Sequence, residues 1–214
     1  MSPIDYKDRR DNHDFMTPEH VASFLRNYRT GTDNLGRYHL AKIIGTHNNP
    51  SVLDVASGTC VNWEVIRNLG IQCKYTGLDR TKKMLAHAKT LYGDKIQLAE
   101  GYIQDIPFAD SSFDIVIARH IFEHLQEGYE RAIKEVFRVA SKEAILVFFL
   151  DLASGPQDII KESDPDENNC TYFWNTYSHD KLFSFLSSLN CRIVSDYIRT
   201  PGAAANDTII RLIK

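Results

Sequence analysis

Residues 52–60, VLDVASGTC, read as a buried strand that ends in a tight turn of small residues and runs directly into a helix. A short, nearly all-apolar run is what a strand covered on both faces requires. Small side chains at Ser57, Gly58 and Thr59 let the backbone approach a ligand closely. The N–H groups at the start of the following helix can receive an anionic group such as a carboxylate. Asp54, two residues before the turn, would point a carboxylate into the same cleft. Twenty-five positions later Asp79 closes the strand KYTGLD, and an acid there can accept hydrogen bonds from both hydroxyls of a ribose. Ligands of open α/β sheets bind outside the carboxyl ends of the strands, so both features fall on one rim.

Outward from this stretch, strands and helices alternate. The helix through Trp63, Val65, Ile66 and Leu69 stops at Gly70, and TKKMLAHAKTLYG follows the second strand. IQLAEGY and FDIVIAR are strands three and four, EGYERAIKEVFRVA is a helix, and AILVFFLD is strand five. SHDKLFSFLSSLN is a last helix, and CRIVSDYIRT and DTIIRLI are two strands joined by PGAAAN. The expected fold is α/β: a Rossmann-like, seven-stranded, mainly parallel sheet with helices on both faces and a C-terminal antiparallel hairpin. Before it, residues 1–50 form an N-terminal helical lid. One helix opens at Thr17-Pro18-Glu19. A second has Leu35, Tyr38, Leu40, Ile43 and Ile44 on its better-buried side. Residues 51–214 form the main domain, with an insertion at about 152–177 that breaks the rhythm with Gly155-Pro156, an acidic run and the aromatics Tyr172, Phe173, Trp174 and Tyr177.

A length of 214 residues suits one large domain with added segments. The net charge of -3 implies no broad cationic surface, which argues against nucleic acid as a partner. The four cysteines, Cys60, Cys73, Cys170 and Cys191, form no C-x-x-C pair and lie at no zinc-ligand spacing to a His. They read as free thiols of a reducing compartment, and no metal site is expected. No apolar run is long enough to span a membrane, and the polar first residues lack the apolar region of a secretory signal. A cytoplasmic location is expected.

Two ligand classes use a cleft of this kind. The nicotinamide fingerprint G-x-G-x-x-G would need glycine at Ala56, Gly58 and Val61, and two of the three are absent. From about Ser51 to Lys214 the chain instead resembles the class I S-adenosylmethionine-dependent methyltransferases of the small, single-domain, type 11-like kind. VLDVASGTC is similar to their V-L-D-x-G-x-G-x-G. GLDRTKKMLAHAK matches G-x-D-x-S-x-x-M-L-x-x-A, and EGYIQDIPFADSSFDIVIA matches G-D-A-x-x-L-P-F-x-D-x-x-F-D-x-V. HIFEHL stands where the family often has an apolar-H-H/E-H-L run.

The resemblance implies S-adenosyl-L-methionine as cofactor. It implies that the backbone at Ala56, Ser57 and Gly58 lines the methionine portion and that Asp54 orients that loop or the ligand amine. It further implies that Asp79 holds the ribose, that Arg80 and Met84 border the adenine with Tyr102 and Ile103 at its edge, and that Arg119 offers its carbonyl to the ligand ammonium. Ala56 and Cys60 replace the first and third family glycines. Tyr102 stands where an acid usually accepts from the adenine amino group, a part Asp105 could take instead.

Methyl transfer from a sulfonium is an in-line displacement by a donor that carries its own activation. The protein has to align the acceptor and exclude water. A general base is needed only for a hydroxyl or protonated amine. The candidates are His120, Glu123, His124 and His179, with His120 preferred because it follows a ligand-facing strand end. The plainer roles are packing and capping for His124 and a solvated helix-start acid for Glu123. Tyr38 and His39 could close over the site or serve core or surface. Residues 15–45 and 152–177 would build the acceptor pocket, unless the aromatics are local core. A small-molecule acceptor is expected. The alternatives are a non-catalytic S-adenosylmethionine-binding subunit and a methyltransferase acting on protein or RNA.

Overall fold

The computed structural model describes residues 34–125, 128–149, 151–161, 173–200 and 206–214. The helix expected at Thr17, the acidic run, Cys170, Tyr172 and residues 201–205 of the hairpin loop lie outside them. The elements run α1 (Asn34–Gly45), β1 (Ser51–Val55), α2 (Val61–Asn68), β2 (Lys74–Asp79), α3 (Lys82–Tyr92), β3 (Gln97–Glu100), β4 (Phe113–Arg119), α4 (Glu130–Val139), β5 (Ala140–Phe148), α5 (His179–Ser187), β6 (Arg192–Ile198) and β7 (Asp207–Ile213).

The seven strands form one sheet in the order β3-β2-β1-β4-β5-β7-β6. The first five are parallel, and β7 is antiparallel to both β5 and β6. The chain builds outward from β1 in one direction through β2 and β3, then returns to β4 on the other side. The carboxyl ends of β1 and β4 therefore flank the point where the winding reverses, which is where a crevice opens in such sheets.

Alternate residues feed two cores, as the strand period of two demands. In β4, Val116 and Ala118 join the cluster under α4 and α5, while Ile115 and Ile117 join the cluster under α1, α2 and α3. Val52, Leu53 and Val55 of β1 are essentially solvent-free. Each such side chain contributes about 1.5–3 kcal/mol of burial free energy, enough to set the register of the central strand.

Two expectations need correction. Strand β5 begins at Ala140, not near Ala144, with no loop after α4. Its polar start hid it: Glu143 is buried because Arg211 Nη2, at 3.1 Å, and His47 Nε2, at 3.3 Å, satisfy its carboxylate. On α1, Leu35 and Tyr38 face solvent at 46% and 41% exposure, while Gly36 and Arg37 turn inward with Leu40, Ala41, Ile43 and Ile44. The inward positions are set by polar partners on other elements. Arg37 Nε donates to Asn62 Oδ1 at 3.1 Å, and a Cβ on Gly36 would lie 1.6 Å from Asp207 Oδ2.

The described parts of the insertion fold back on themselves and on the rim. Ile159 and Thr176 exchange backbone bonds of 2.8 and 2.9 Å, and Asn175 N–H donates to the Glu123 carbonyl at 2.8 Å. Buried Asn175 also donates through Nδ2 to the Leu125 carbonyl and, at 3.1 Å, to Tyr177 Oη. These bonds moor the insertion to the segment after β4.

Candidate active site

The turn after β1 has an alternating backbone. Ala56, Gly58 and Cys60 all lie in the left-handed region, with φ of 56°, 54° and 58°. These are the three glycine positions of the family pattern, so the conformation that explains the pattern is kept although two of the residues carry a Cβ. A non-glycine residue there costs on the order of 1–2 kcal/mol. The cost is met by bonds that leave the turn no other course. Ser57 N–H donates to Leu78 O (3.0 Å), Cys60 N–H to Ser57 O (2.9 Å) and Gly58 N–H to Asp79 Oδ2 (2.7 Å).

Asp79 thus has an internal task. Oδ2 holds the turn, and Oδ1 accepts from Thr81 N–H at 2.8 Å, which fixes the start of α3. A carboxylate has about four lone-pair sites, so both oxygens keep capacity for ribose hydroxyls. Cys60 finds its space over β2: a Cβ on Gly77 would stand 2.5 Å from Cys60 Sγ and 2.9 Å from Ser57 Oγ. The missing side chain at Gly77 accommodates the extra one at Cys60.

Asp54 does not project freely into the cleft. It is buried, accepting from Asn62 Nδ2 at 3.0 Å and from the Tyr75 hydroxyl. These bonds tie the end of β1 to α2 and β2. Burial pushes its carboxyl up to about 6, against the lowering effect of Tyr75 and Asn62. Arg37 extends this buried chain through Asn62 to α1.

The other positions expected on the nucleotide side follow β2 and β3 in the chain. Arg80 follows Asp79 and is half-buried, and Met84 is buried in the first turn of α3. Tyr102 is half-buried and makes a tight turn in which Asp105 N–H donates to its carbonyl at 3.1 Å. The Ile103 side chain is anchored in the core with Leu53 and Leu78.

Across β1, the end of β4 carries a charged knot that sequence reading missed. The Arg119 side chain is buried, with Nη2 3.1 Å from Asp207 Oδ2. His120 also has a left-handed backbone, φ 56°, and its N–H donates to Val147 O at 2.9 Å. Its Nε2 lies 2.6 Å from Asp207 Oδ1, and its ring centroid 5.2 Å from that of Phe149. Burial and the Arg119 charge push the imidazole down to about 3, against the raising effect of Asp207, so it is neutral at pH 7. Burial alone would raise the Asp207 carboxyl. The His120 bond and the Arg119 charge outweigh it and hold Asp207 below the usual carboxylate range. Asp207 opens β7, and its only sequence signal was the start of a strand.

The other base candidates fall elsewhere. Glu123 is 1% exposed, not solvated, and Oε1 accepts Phe149 N–H at 2.7 Å. It ties the end of β5 to the segment after β4. His124 Nδ1 lies 2.8 Å from Phe173 O, and the ring packs against Phe149 and Trp174. Burial lowers its pKa, helped by the Arg80 charge. His179 stacks on Phe183 at the start of α5. His39 pairs with Asp196 of β6 at 3.1 Å, and Tyr38 is exposed, so neither joins the rim cluster. Trp174 is partly exposed beside His124 and Phe149, whereas Tyr177 is core, donating to Phe122 O at 2.6 Å.

The turn suits an adenosyl ligand on one further observation. Thr59 Oγ1 is buried inside the turn and has no hydrogen-bond partner among the described residues. Such a group normally finds one, and a bound polar ligand would supply it. Among the same residues no group of His, Cys, Asp or Glu is arranged to hold a metal ion. No helix of these residues is long and apolar enough to cross a membrane.

Residues 53–148 match the family described as Methyltransferase domain. Ajmaline N-methyltransferase of Rauvolfia serpentina is 34% identical over 104 residues, which are 45% of this chain and 34% of that protein. Demethylmenaquinone methyltransferase of Lactobacillus johnsonii is 26% identical over 205 residues, 92% of this chain and 78% of that protein. A solved structure of 1,6-didemethyltoxoflavin-N1-methyltransferase from Burkholderia thailandensis, with S-adenosylhomocysteine bound, superposes with a TM-score of 0.63 at 13% identity, covering 91% of this chain and 86% of that one. The chain thus spans about a third of the first of these relatives and most of the second. Residues 53–148 are similar to a methyltransferase domain, and the fold is shared with the 1,6-didemethyltoxoflavin-N1-methyltransferase.

Proposed function

We propose that this chain binds S-adenosyl-L-methionine in the crevice outside β1 and β2 and transfers its methyl group to a small-molecule acceptor on the β4–β5 side. The observation that carries this reading is the left-handed turn at 56, 58 and 60 locked onto Asp79. It presents backbone and one carboxylate at the place where a nucleoside would sit. When bound, the cofactor supplies a methyl group already activated by positive sulfur. The protein's own share is placement. The 56–60 turn and Thr59 would hold the amino-acid end, Asp79 the ribose, and Arg80, Met84, Tyr102 and Ile103 the adenine side. Arg119 ends β4 next to β1 and directs the chain to His120.

The Cys60 departure is absorbed by Gly77 and gives no ground for a degenerate site. The net charge of -3 and the aromatic wall of Phe149, Trp174 and His124 support a small organic acceptor over a polynucleotide. The relatives named above carry acceptors of that kind in their names. A cytoplasmic setting completes the reading.

Titration calorimetry tests it. S-adenosylhomocysteine should bind the wild-type chain and NADH should not. Asp79→Ala should weaken that binding by at least about tenfold, the loss of one charge-assisted contact and of the turn's anchor. Binding of NADH in place of the thioether would reject the reading.

A further inference from the structure

We infer that Asp207 is a positioning residue for His120: it holds the imidazole as the Nε2–H tautomer and leaves Nδ1 to take a proton from the methyl acceptor. This deepens the methyltransferase reading and rests on it. It narrows the acceptor to one that presents an O–H or N–H to the rim.

Three observations on separate elements converge. First, the chain end of β4 leaves the sheet at His120 in a left-handed conformation, φ 56°, pinned to Val147 of β5. Strain of this type costs about 1–3 kcal/mol and survives only where the surroundings fix it, most often at functional sites. Second, the strained backbone brings Nε2 to 2.6 Å from Asp207 Oδ1, the first residue of a strand far away in the chain. A carboxylate can only accept, so the proton in that bond belongs to Nε2, and the neutral ring has its lone pair on Nδ1. Third, Asp207 is itself over-held. Arg119 donates to Oδ2 at 3.1 Å, and α1 approaches so closely at Gly36 that a side chain there would overlap Oδ2. The Phe149 ring beside His120 restricts turning of the imidazole.

The proton chemistry balances without any further reagent. As the acceptor's lone pair bonds to the methyl carbon, the methyl–sulfur bond leaves its pair on sulfur, giving a neutral thioether. The acceptor's proton passes to Nδ1. The imidazolium formed is stabilised by the Asp207 carboxylate on its other side and then loses its proton to water. An acceptor with no proton to lose would have no use for the pair.

Long-range proton–nitrogen correlation spectra of nitrogen-15 histidine-labelled protein at pH 7 test the inference, with His120→Gln identifying the resonances. The wild type should show His120 neutral and protonated on Nε2. Asp207→Asn, checked for fold by circular dichroism, should lose the dominance of that tautomer and bind S-adenosylhomocysteine within about twofold of wild type. A wild-type ring protonated on Nδ1, or an unchanged tautomer in Asp207→Asn, would overturn it. A tenfold or greater loss of thioether binding in that variant would also overturn it, by placing Asp207 in the cofactor site. If Asp207→Asn does not fold, the wild-type tautomer decides alone. Absence of thioether binding to the wild type would instead remove the methyltransferase reading and leave the tautomer result standing.

Discussion

Ala56 shows how a single methyl group can be tolerated where the backbone asks for none. Its φ of 56° is shared with Gly58 and Cys60, and the turn is held by bonds to Leu78 and Asp79. Because that conformation strains an L side chain, Ala56→Gly should raise the unfolding free energy by about 1 kcal/mol, less what the freer unfolded glycine gives back. Urea denaturation reads this directly, and a loss of stability would mean the methyl group packs usefully. Asp54 makes a different prediction. Its folded carboxyl titrates at about 6, above the ordinary 3.8. Between about pH 4 and pH 6 the unfolded chain has lost the proton and the folded chain keeps it, so stability falls as pH rises through that window. The change amounts to about 3 kcal/mol and levels off above pH 6. Asp54→Asn keeps an oxygen for Tyr75 and Asn62 but cannot titrate. It should flatten the pH dependence of the unfolding midpoint between 4 and 6, and an unaltered slope would show that another group is responsible.

At the scale of elements, the insertion matters as a wall fastened by a few bonds. Asn175 connects it to Glu123 and Leu125. Asn175→Ala would strand the buried Leu125 carbonyl, at a cost of about 1–3 kcal/mol. Hydrogen exchange should then rise mainly in residues 151–161 and 173–177, with the sheet still protected. A uniform rise over β1 to β5 would contradict the idea of a separately fastened wall. The strands KYTGLD, FDIVIAR and DTIIRLI could be read to the residue because apolar content and turn residues agree there. Where reading failed, a long-range polar partner was the cause. Glu143 belongs in β5 because Arg211 reaches it from the neighbouring strand, Arg37 faces inward because Asn62 receives it, and Glu123 is buried because Phe149 N–H needs an acceptor. None of these pairings leaves a local trace in the chain.

For the molecule as a whole, the proposed nucleotide half of the rim was more legible than the proposed acceptor half, for a topological reason. Asp54, the 56–60 turn and Asp79 come from neighbouring strands joined by one short helix, so their spacing in the chain reports their spacing in space. His120 and Asp207 are separated by 87 positions and meet only because β7 lies between β5 and β6. That placement also sets an order of assembly. A growing chain that has not reached residue 207 already contains β1 to β5 and the residues proposed to grip adenosine, yet the imidazole after β4 still lacks the carboxylate that orients its ring. The last of the seven strands to be synthesised must insert between β5 and the edge strand β6, so the means of gripping the donor would mature before the means of deprotonating the recipient.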